Sequence, residues 1–179
     1  PGIIVPKKTV SEVQKLLDGA DAATAVTVEV SDTKIRITLG SVVLLSKLIE
    51  GTFPDYDRVT PKNNDKQMNV DKASFATAVD RVSTIASDRG GKAVKLSMRE
   101  GQLELSVTNP DHGTASEELA VDFEPESFEI GFNARYLLDI IGQIRSDNAV
   151  FLFNDAGSPT LVKEDGDAKA LYVLMPMRV

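Results

Sequence analysis

Apolar residues recur along this chain in two rhythms, first helical and then alternating, and the switch happens three times. Val10, Val13, Leu16 and Leu17 share one face of a helix over 9–18. Thr9 and Glu12 stand at the spacing of a capping box, and Gly19 stands at the stop position. Phe75, Ala78, Val79, Val82 and Ile85 predict a second helix over 72–87, with Asp71 as its N-cap. Leu137, Leu138, Ile140, Ile141 and Ile144 predict a third over 134–145, capped by Asn133. The caps Thr9, Asp71 and Asn133 repeat at an interval of 62 residues. A period this long means a repeated supersecondary unit, not a small solenoid repeat.

After each helix the rhythm becomes two. Val26, Val28 and Val30 turn through Ser31-Asp32-Thr33 into Ile35, Ile37 and Leu39. Val94, Leu96 and Met98 turn at Glu100-Gly101 into Leu103, Leu105 and Val107, and Leu119, Val121 and Phe123 predict the next strand. The third set runs 150–153, 160–162, an Asp165-Gly166 turn, then 171–175. Each unit reads β-α-β-β-β. One-faced helices with mostly antiparallel strands predict a two-layer α+β fold. Two units make a domain, so three make one and a half. The polar stretch from Thr60 to Lys66 reads as the linker. A lone unit leaves an exposed sheet edge, so the expectation is that a further N-terminal part belongs to the protein.

Composition removes several kinds of chemistry. With no Cys among 179 residues, disulfide scaffolds, thiolate nucleophiles and Cys-based metal sites are excluded. His112 is the only histidine, which excludes a multi-histidine metal site, and it sits in the polar loop from Asn109 to Gly113. The run Glu164-Asp165-Gly166-Asp167 lacks the spaced ligands and terminal Glu of an EF-hand and reads as a hairpin tip. No P-loop, GxGxxG or GxSxG is present. No apolar run is long enough to span a membrane and no signal segment opens the chain, so a cytoplasmic protein is expected. The net charge of −7 argues against a freely basic nucleic-acid binder, though a segregated basic face is compatible with it. No cofactor or metal is expected.

Two segments stand apart: Gly51-Thr52-Phe53-Pro54-Asp55-Tyr56, and the tail Met175-Pro176-Met177-Arg178-Val179. The tail reads either as the end of a last strand or as a deformable, Met-rich binding surface. With Ser46-Lys47-Leu48-Ile49-Glu50 before the first segment and Arg58-Val59 and Pro61-Lys62 after it, this region resembles the bacterial sliding-clamp family, the beta subunit of DNA polymerase III. So do Ile130-Gly131-Phe132-Asn133 with Tyr136-Leu137, and the terminus from Tyr172 to Arg178. The resemblance covers the whole chain in order. It implies the DNA-clamp fold, three domains per chain each built from a pair of βαβββ units, and a homodimeric ring of six domains around duplex DNA. Residues 1–66 then correspond to the C-terminal half of the middle domain plus linker, and 67–179 to the third domain. The implied role is non-catalytic: a processivity factor that tethers the replicative polymerase.

The resemblance also implies sites. A pocket for short linear motifs of the polymerase III alpha subunit, the clamp loader and repair polymerases maps to Pro54, Arg58, Val59, Asn133, Tyr136, Gly157, Pro159, Met175, Pro176, Met177, Arg178 and Val179. Sequence-independent contact with the DNA backbone maps to Lys7, Lys8, Lys15, Lys72, Arg81 and Arg135. The ring interface maps to Thr84, Ile85, Glu117 and Glu118. An enzyme that shares the architecture by coincidence and a stand-alone peptide adaptor are the competing readings. The absence of a nucleophile–base pair weighs against the first.

Overall fold

The computed structural model describes residues 2–53, 55–86, 92–124, 127–166 and 170–179. They form two compact units, Pro1–Asp55 and Tyr56–Val179.

The first unit holds helix α1 (Lys7–Asp18) and strands β1 (Val26–Val30), β2 (Lys34–Leu39) and β3 (Val42–Lys47), in an antiparallel sheet of order β1-β2-β3. The register sets Val26, Val28 and Val30 opposite Leu39, Ile37 and Ile35, so all six share one face. The β2 members are buried, whereas the three valines stay 41–55 % exposed. Among the described residues β1 and β3 each pair only with β2, so both sides of this sheet are open edges.

The predicted capping box does not form. Helix α1 begins two residues before Thr9, behind Pro6, whose carbonyl accepts the N–H of Val10 at 3.2 Å. Proline has its φ preset for this place and carries no N–H to leave unpaired. Thr9 is instead buried inside the helix, with its hydroxyl 2.7 Å from that of Ser46 on β3. Glu12 pairs with Lys15 at 3.0 Å rather than reaching back.

The second unit contains two βαβββ halves. One is β4 (Lys66–Asp71), α2 (Lys72–Ser83), β5 (Ala93–Arg99), β6 (Gln102–Asn109) and β7 (Gly113–Ala120). The other is β8 (Phe128–Asn133), α3 (Ala134–Ile141), β9 (Asn148–Phe153), β10 (Thr160–Glu164) and β11 (Leu171–Leu174). The halves exchange their lead strands: β4 pairs with β9 and β8 pairs with β5, giving sheets β11-β10-β9-β4 and β7-β6-β5-β8. The backbone N–H groups of Asn69 and Asp122 each donate to the other residue's carbonyl at 2.9 Å, linking the sheets. One core runs through both halves, from Phe75, Val79 and Val82 of α2 to Leu137 and Ile141 of α3 and Leu96, Leu105, Phe132, Phe151 and Phe153 of the strands.

Helices α2 and α3 start where expected. The carboxylate of Asp71 accepts the Ser74 N–H at 2.8 Å, and the amide oxygen of Asn133 accepts the Arg135 N–H at 2.9 Å. The Ser74 hydroxyl and N–H hold the Asp71 carboxyl below the usual carboxylate range. Both helices end early. Helix α2 stops at Ser83, so Thr84 and Ile85 lie in a following turn, and Ser87 falls outside the described residues. Helix α3 stops at Ile141 and finishes in tightened bonds, Gln143 N–H to Ile140 O and Ile144 N–H to Ile141 O. The hairpin turns hold, with Gly101 and Gly166 at φ +69° and +87°; Asp167 lies outside the described residues. The strand expected at Leu119–Phe123 is shifted to Gly113–Ala120 by pairing along β6, and Val121 and Phe123 are buried beyond it.

Candidate peptide-binding site

Strand β11 ends at Leu174, and the tail beyond it does not continue the sheet as a last strand. It crosses instead to the free side of β8, where the Met177 N–H donates to the Gly131 carbonyl at 2.8 Å. Between the tail and the outer face of its sheet lies a cleft of about 580 Å³. Its lining includes Gly157, Pro176, Met177, Arg178 and Val179, five of the residues expected from the sequence.

Lys95, Glu129, Ile130, Gly131 and Ala156 complete the lining. The sequence reading did not assign these five to the site. Lys95 and Glu129 carry polar outer-face positions of β5 and β8, and alternation alone makes every such position look like ordinary surface. Their ion pair spans 2.8 Å. The Lys95 ammonium, by its hydrogen bond, holds the Glu129 carboxyl below the usual range against a smaller opposing effect of desolvation. The loop beside them is rigidified by Asp155, which accepts the Gly157 N–H at 2.8 Å and the Ser158 hydroxyl at 2.6 Å. The Ser158 hydroxyl is the main reason that the Asp155 carboxyl is also held low. The cleft thus combines apolar walls, a charged floor and a fixed loop, the arrangement that orients an apolar ligand by a few polar groups.

The remaining peptide-site residues lie outside this lining. Asn133 ends β8 and caps α3; Tyr136, in the first turn of α3, is 56 % exposed. Met175 is 62 % exposed at the root of the tail. The Pro159 carbonyl accepts the Asn64 side-chain N–H at 3.0 Å. Arg58 closes a 3-10 turn (Tyr56–Arg58), with Val59 exposed after it. Pro54 falls outside the described residues.

The basic residues divide by partner. Lys7 and Lys8 are exposed at the start of α1. Lys15 is paired with Glu12. The Lys72 ammonium donates to the Ile144 carbonyl at 2.8 Å, joining the start of α2 to the segment after α3. Arg81 grips Glu117 through two hydrogen bonds, from Nε to Oε2 at 3.0 Å and from Nη2 to Oε1. Arg135 lines a groove of about 350 Å³ along α2 and α3, together with Asp80, Lys92 and Asp139.

The residues read as a ring interface gather at one side of the second unit. β7 is the edge strand of its sheet and carries Glu117 and Glu118 on opposite faces. Glu117 faces α2 and binds Arg81, while Glu118 stands opposite Glu104 and 3.6 Å from Arg99. Thr84 is exposed, whereas Ile85 packs partly on the core and its carbonyl accepts the Asn109 side-chain N–H at 2.7 Å. Among the described residues no three His, Asp or Glu side chains group to hold a metal ion. No helix among them is long and apolar enough to cross a membrane.

Paired βαβββ halves that exchange lead strands around one core are a DNA-clamp fold. Two family models match the chain in succession: DNA polymerase III beta subunit, central domain, over residues 1–55, and DNA polymerase III beta subunit, C-terminal domain, over residues 57–178. The chain belongs to the DNA polymerase III beta subunit family. It is 48% identical over 179 residues to a beta sliding clamp of Caulobacter vibrioides, covering 100% of this chain and 47% of that protein. The beta sliding clamp of Escherichia coli is 34% identical over 177 residues, with 99% of this chain and 48% of that protein covered. A crystal structure of the DnaN sliding clamp from Bartonella birtlesii bound to griselimycin matches with a TM-score of 0.92 at 54% identity, over 100% of this chain and 48% of that one. The chain spans about half the length of the curated relatives it matches.

Proposed function

We propose that this chain is the C-terminal part of a sliding clamp: a non-catalytic processivity factor that encircles duplex DNA and tethers the replicative polymerase. Residues 1–66 are read as the second half of the middle domain plus linker, and 67–179 as the third domain, although the compact units divide after Asp55 and β4 of the second unit already begins at Lys66. The observation that carries the reading is the successive match to the family's central and C-terminal domains, in that order, along the chain. The intact protein is a homodimeric cytoplasmic ring, with Thr84, Ile85, Glu117 and Glu118 at the junction between subunits. The cleft beside the tail receives short motifs of Gln and apolar residues from the polymerase alpha subunit, the clamp loader and repair polymerases. Geometry retains a ring on DNA without base-specific contacts, which is compatible with a net charge of −7.

The test is titration of the chain with a short synthetic peptide carrying one Gln followed by Leu and Phe. Two-dimensional NMR is expected to show shifts at Met175–Val179 and at Tyr136. Signals that stay still at millimolar peptide, while a full-length clamp binds, remove the cleft from the proposal.

For DNA, Lys7 and Lys8 are the leading contacts. Among the described residues they carry no ion pair, whereas Lys15, Lys72 and Arg81 are engaged within the chain. Lys7→Ala with Lys8→Ala in the full-length ring is expected to reduce retention on circular DNA, most clearly at low salt and less as salt is raised, because salt weakens the wild-type phosphate contacts steeply as well. Peptide binding should be unchanged. Equal retention at low and physiological salt would reduce the two lysines to ordinary surface charge.

A further inference from the structure

We infer that Gly131 is the seat of the C-terminal tail and a positioning residue for the peptide cleft; the second part rests on the reading of that cleft given above. Gly131 lies in the middle of β8 and its φ is not positive, so the backbone there does not require glycine. A glycine inside a strand weakens it, and its presence commonly marks a place where another chain segment approaches closely. Here that segment is the tail. A Cβ on Gly131 would stand 2.4 Å from Val179 Cγ1, 2.7 Å from the Met177 carbonyl oxygen and 2.8 Å from Val179 Cγ2. Ordinary contact needs about 3.5–4.0 Å between carbons.

All three of these nearest atoms belong to the tail. The core is not involved, because Gly131 stands opposite Lys95 on the outer face, while its neighbours Ile130 and Phe132 point inward and are buried. The Val179 side chain occupies the place that a side chain at position 131 would take. The Met177 N–H bond to the Gly131 carbonyl fixes the tail at the same residue. Hydrogen bond and seat together set where Pro176, Met177 and Arg178 stand as a wall of the cleft. Any side chain at position 131 must push that wall outward by about 1 Å or more, which changes the width offered to an apolar peptide side chain without disturbing the core.

The test compares the wild-type chain with Gly131→Ala, Val179→Gly and the double variant. Gly131→Ala is expected to shift the amide signals of residues 177–179 and the Met177 methyl in the absence of peptide. It should weaken binding of the Gln-Leu-Phe peptide about tenfold and leave the unfolding midpoint of the second unit unchanged. In the double variant the Val179 clash is gone but the Met177 carbonyl still stands close. The Met177 methyl and the peptide affinity should therefore return part-way toward those of Val179→Gly alone. A Gly131→Ala chain with unmoved tail signals overturns the seat, as does a fall in the unfolding midpoint without tail movement. Moved tail signals with unaltered peptide affinity overturn the positioning role and leave the seat. Failure of the wild-type chain itself to bind the peptide overturns the cleft reading, while the tail signals still decide the seat.

Discussion

Phe151→Ala is expected to destabilise the second unit by about 3–5 kcal/mol, the range for truncating a fully buried phenylalanine. Phe151 lies on β9 with no exposed surface, its ring centroid 5.2 Å from that of Phe75 on α2 and 6.1 Å from that of Phe153. Its strand is flanked by β4 and β10. The cavity would therefore open where one half's lead strand and helix meet the other half's sheet. The surroundings can collapse only partly, because each neighbour is held by its own strand ladder. Against a typical total stability of about 5–15 kcal/mol, a loss of this size brings the unit close to unfolding. The readout is favourable. The chain has no Trp and three Tyr, at positions 56, 136 and 172, all in the second unit. Tyrosine fluorescence in a urea titration therefore follows that unit alone. Phe151→Leu, which keeps much of the volume, should lose markedly less. Equal midpoints for wild type and Phe151→Ala would mean that the two halves do not share one cooperative core.

Removal of Met175–Val179 is expected to abolish measurable binding of the Gln-Leu-Phe peptide, a loss of about a hundredfold or more, with the fold retained. The deletion takes four of the cleft's lining residues, Pro176, Met177, Arg178 and Val179. It leaves Leu174, the last residue of β11 and a member of the core, in place. Met175 and Val179 are more than 60 % exposed, so their removal gives up little burial. Isothermal calorimetry with the peptide and a tyrosine-monitored unfolding curve give the two readouts. Retained binding would place the peptide elsewhere, and a lost unfolding transition would make the tail a structural element.

These outcomes depend on features that were unequally legible in the sequence. The buried faces of α2 and α3 were readable because 3.6-residue spacing follows directly from which side of a helix meets a core. On α1, by contrast, the predicted face is not buried, and Val10 and Leu17 stay 54 % and 45 % exposed. The Asp71 and Asn133 caps were readable because a short side chain before an apolar run has a local hydrogen bond to make. Thr9 shows where that logic stops. It satisfies the same local pattern, but Pro6 starts the helix earlier and Ser46, far along the chain, takes its hydroxyl. The early ends of α2 and α3 escaped for a related reason. Ile85 and Ile144 fit the helical spacing yet pack on the core from the turns that follow, and periodicity cannot tell a last helical turn from the turn after it.

The site divides in the same way. The tail's Met-Pro-Met-Arg run was conspicuous as sequence, and its resemblance to the clamp family singled it out. The ion pair at the cleft floor was not conspicuous, since Lys95 and Glu129 are charged residues at positions where charge is ordinary. The partners of Lys72 and Arg81 were also hidden. Each looked like a free cation on a helix face until the fold brought the Ile144 carbonyl and the Glu117 carboxylate to it.

By itself the sequence determined the β-α-β-β-β order of the second unit's two halves, the inward faces of their helices and strands, and the turns at Gly101 and Gly166, because each is dictated by residues within one or two turns of each other. In the first unit the lead strand is reduced to an isolated bridge between Ile4 and Ile49, and the apolar faces of α1 and β1 stay largely exposed. Only the tertiary structure decided that β4 and β8 change places between the halves, that Arg81 is tied to Glu117, and that the tail rests on Gly131. Those are pairings between residues tens of positions apart. Their choice is made by the competition of whole strands for partners and of side chains for the same space, which no local spacing records.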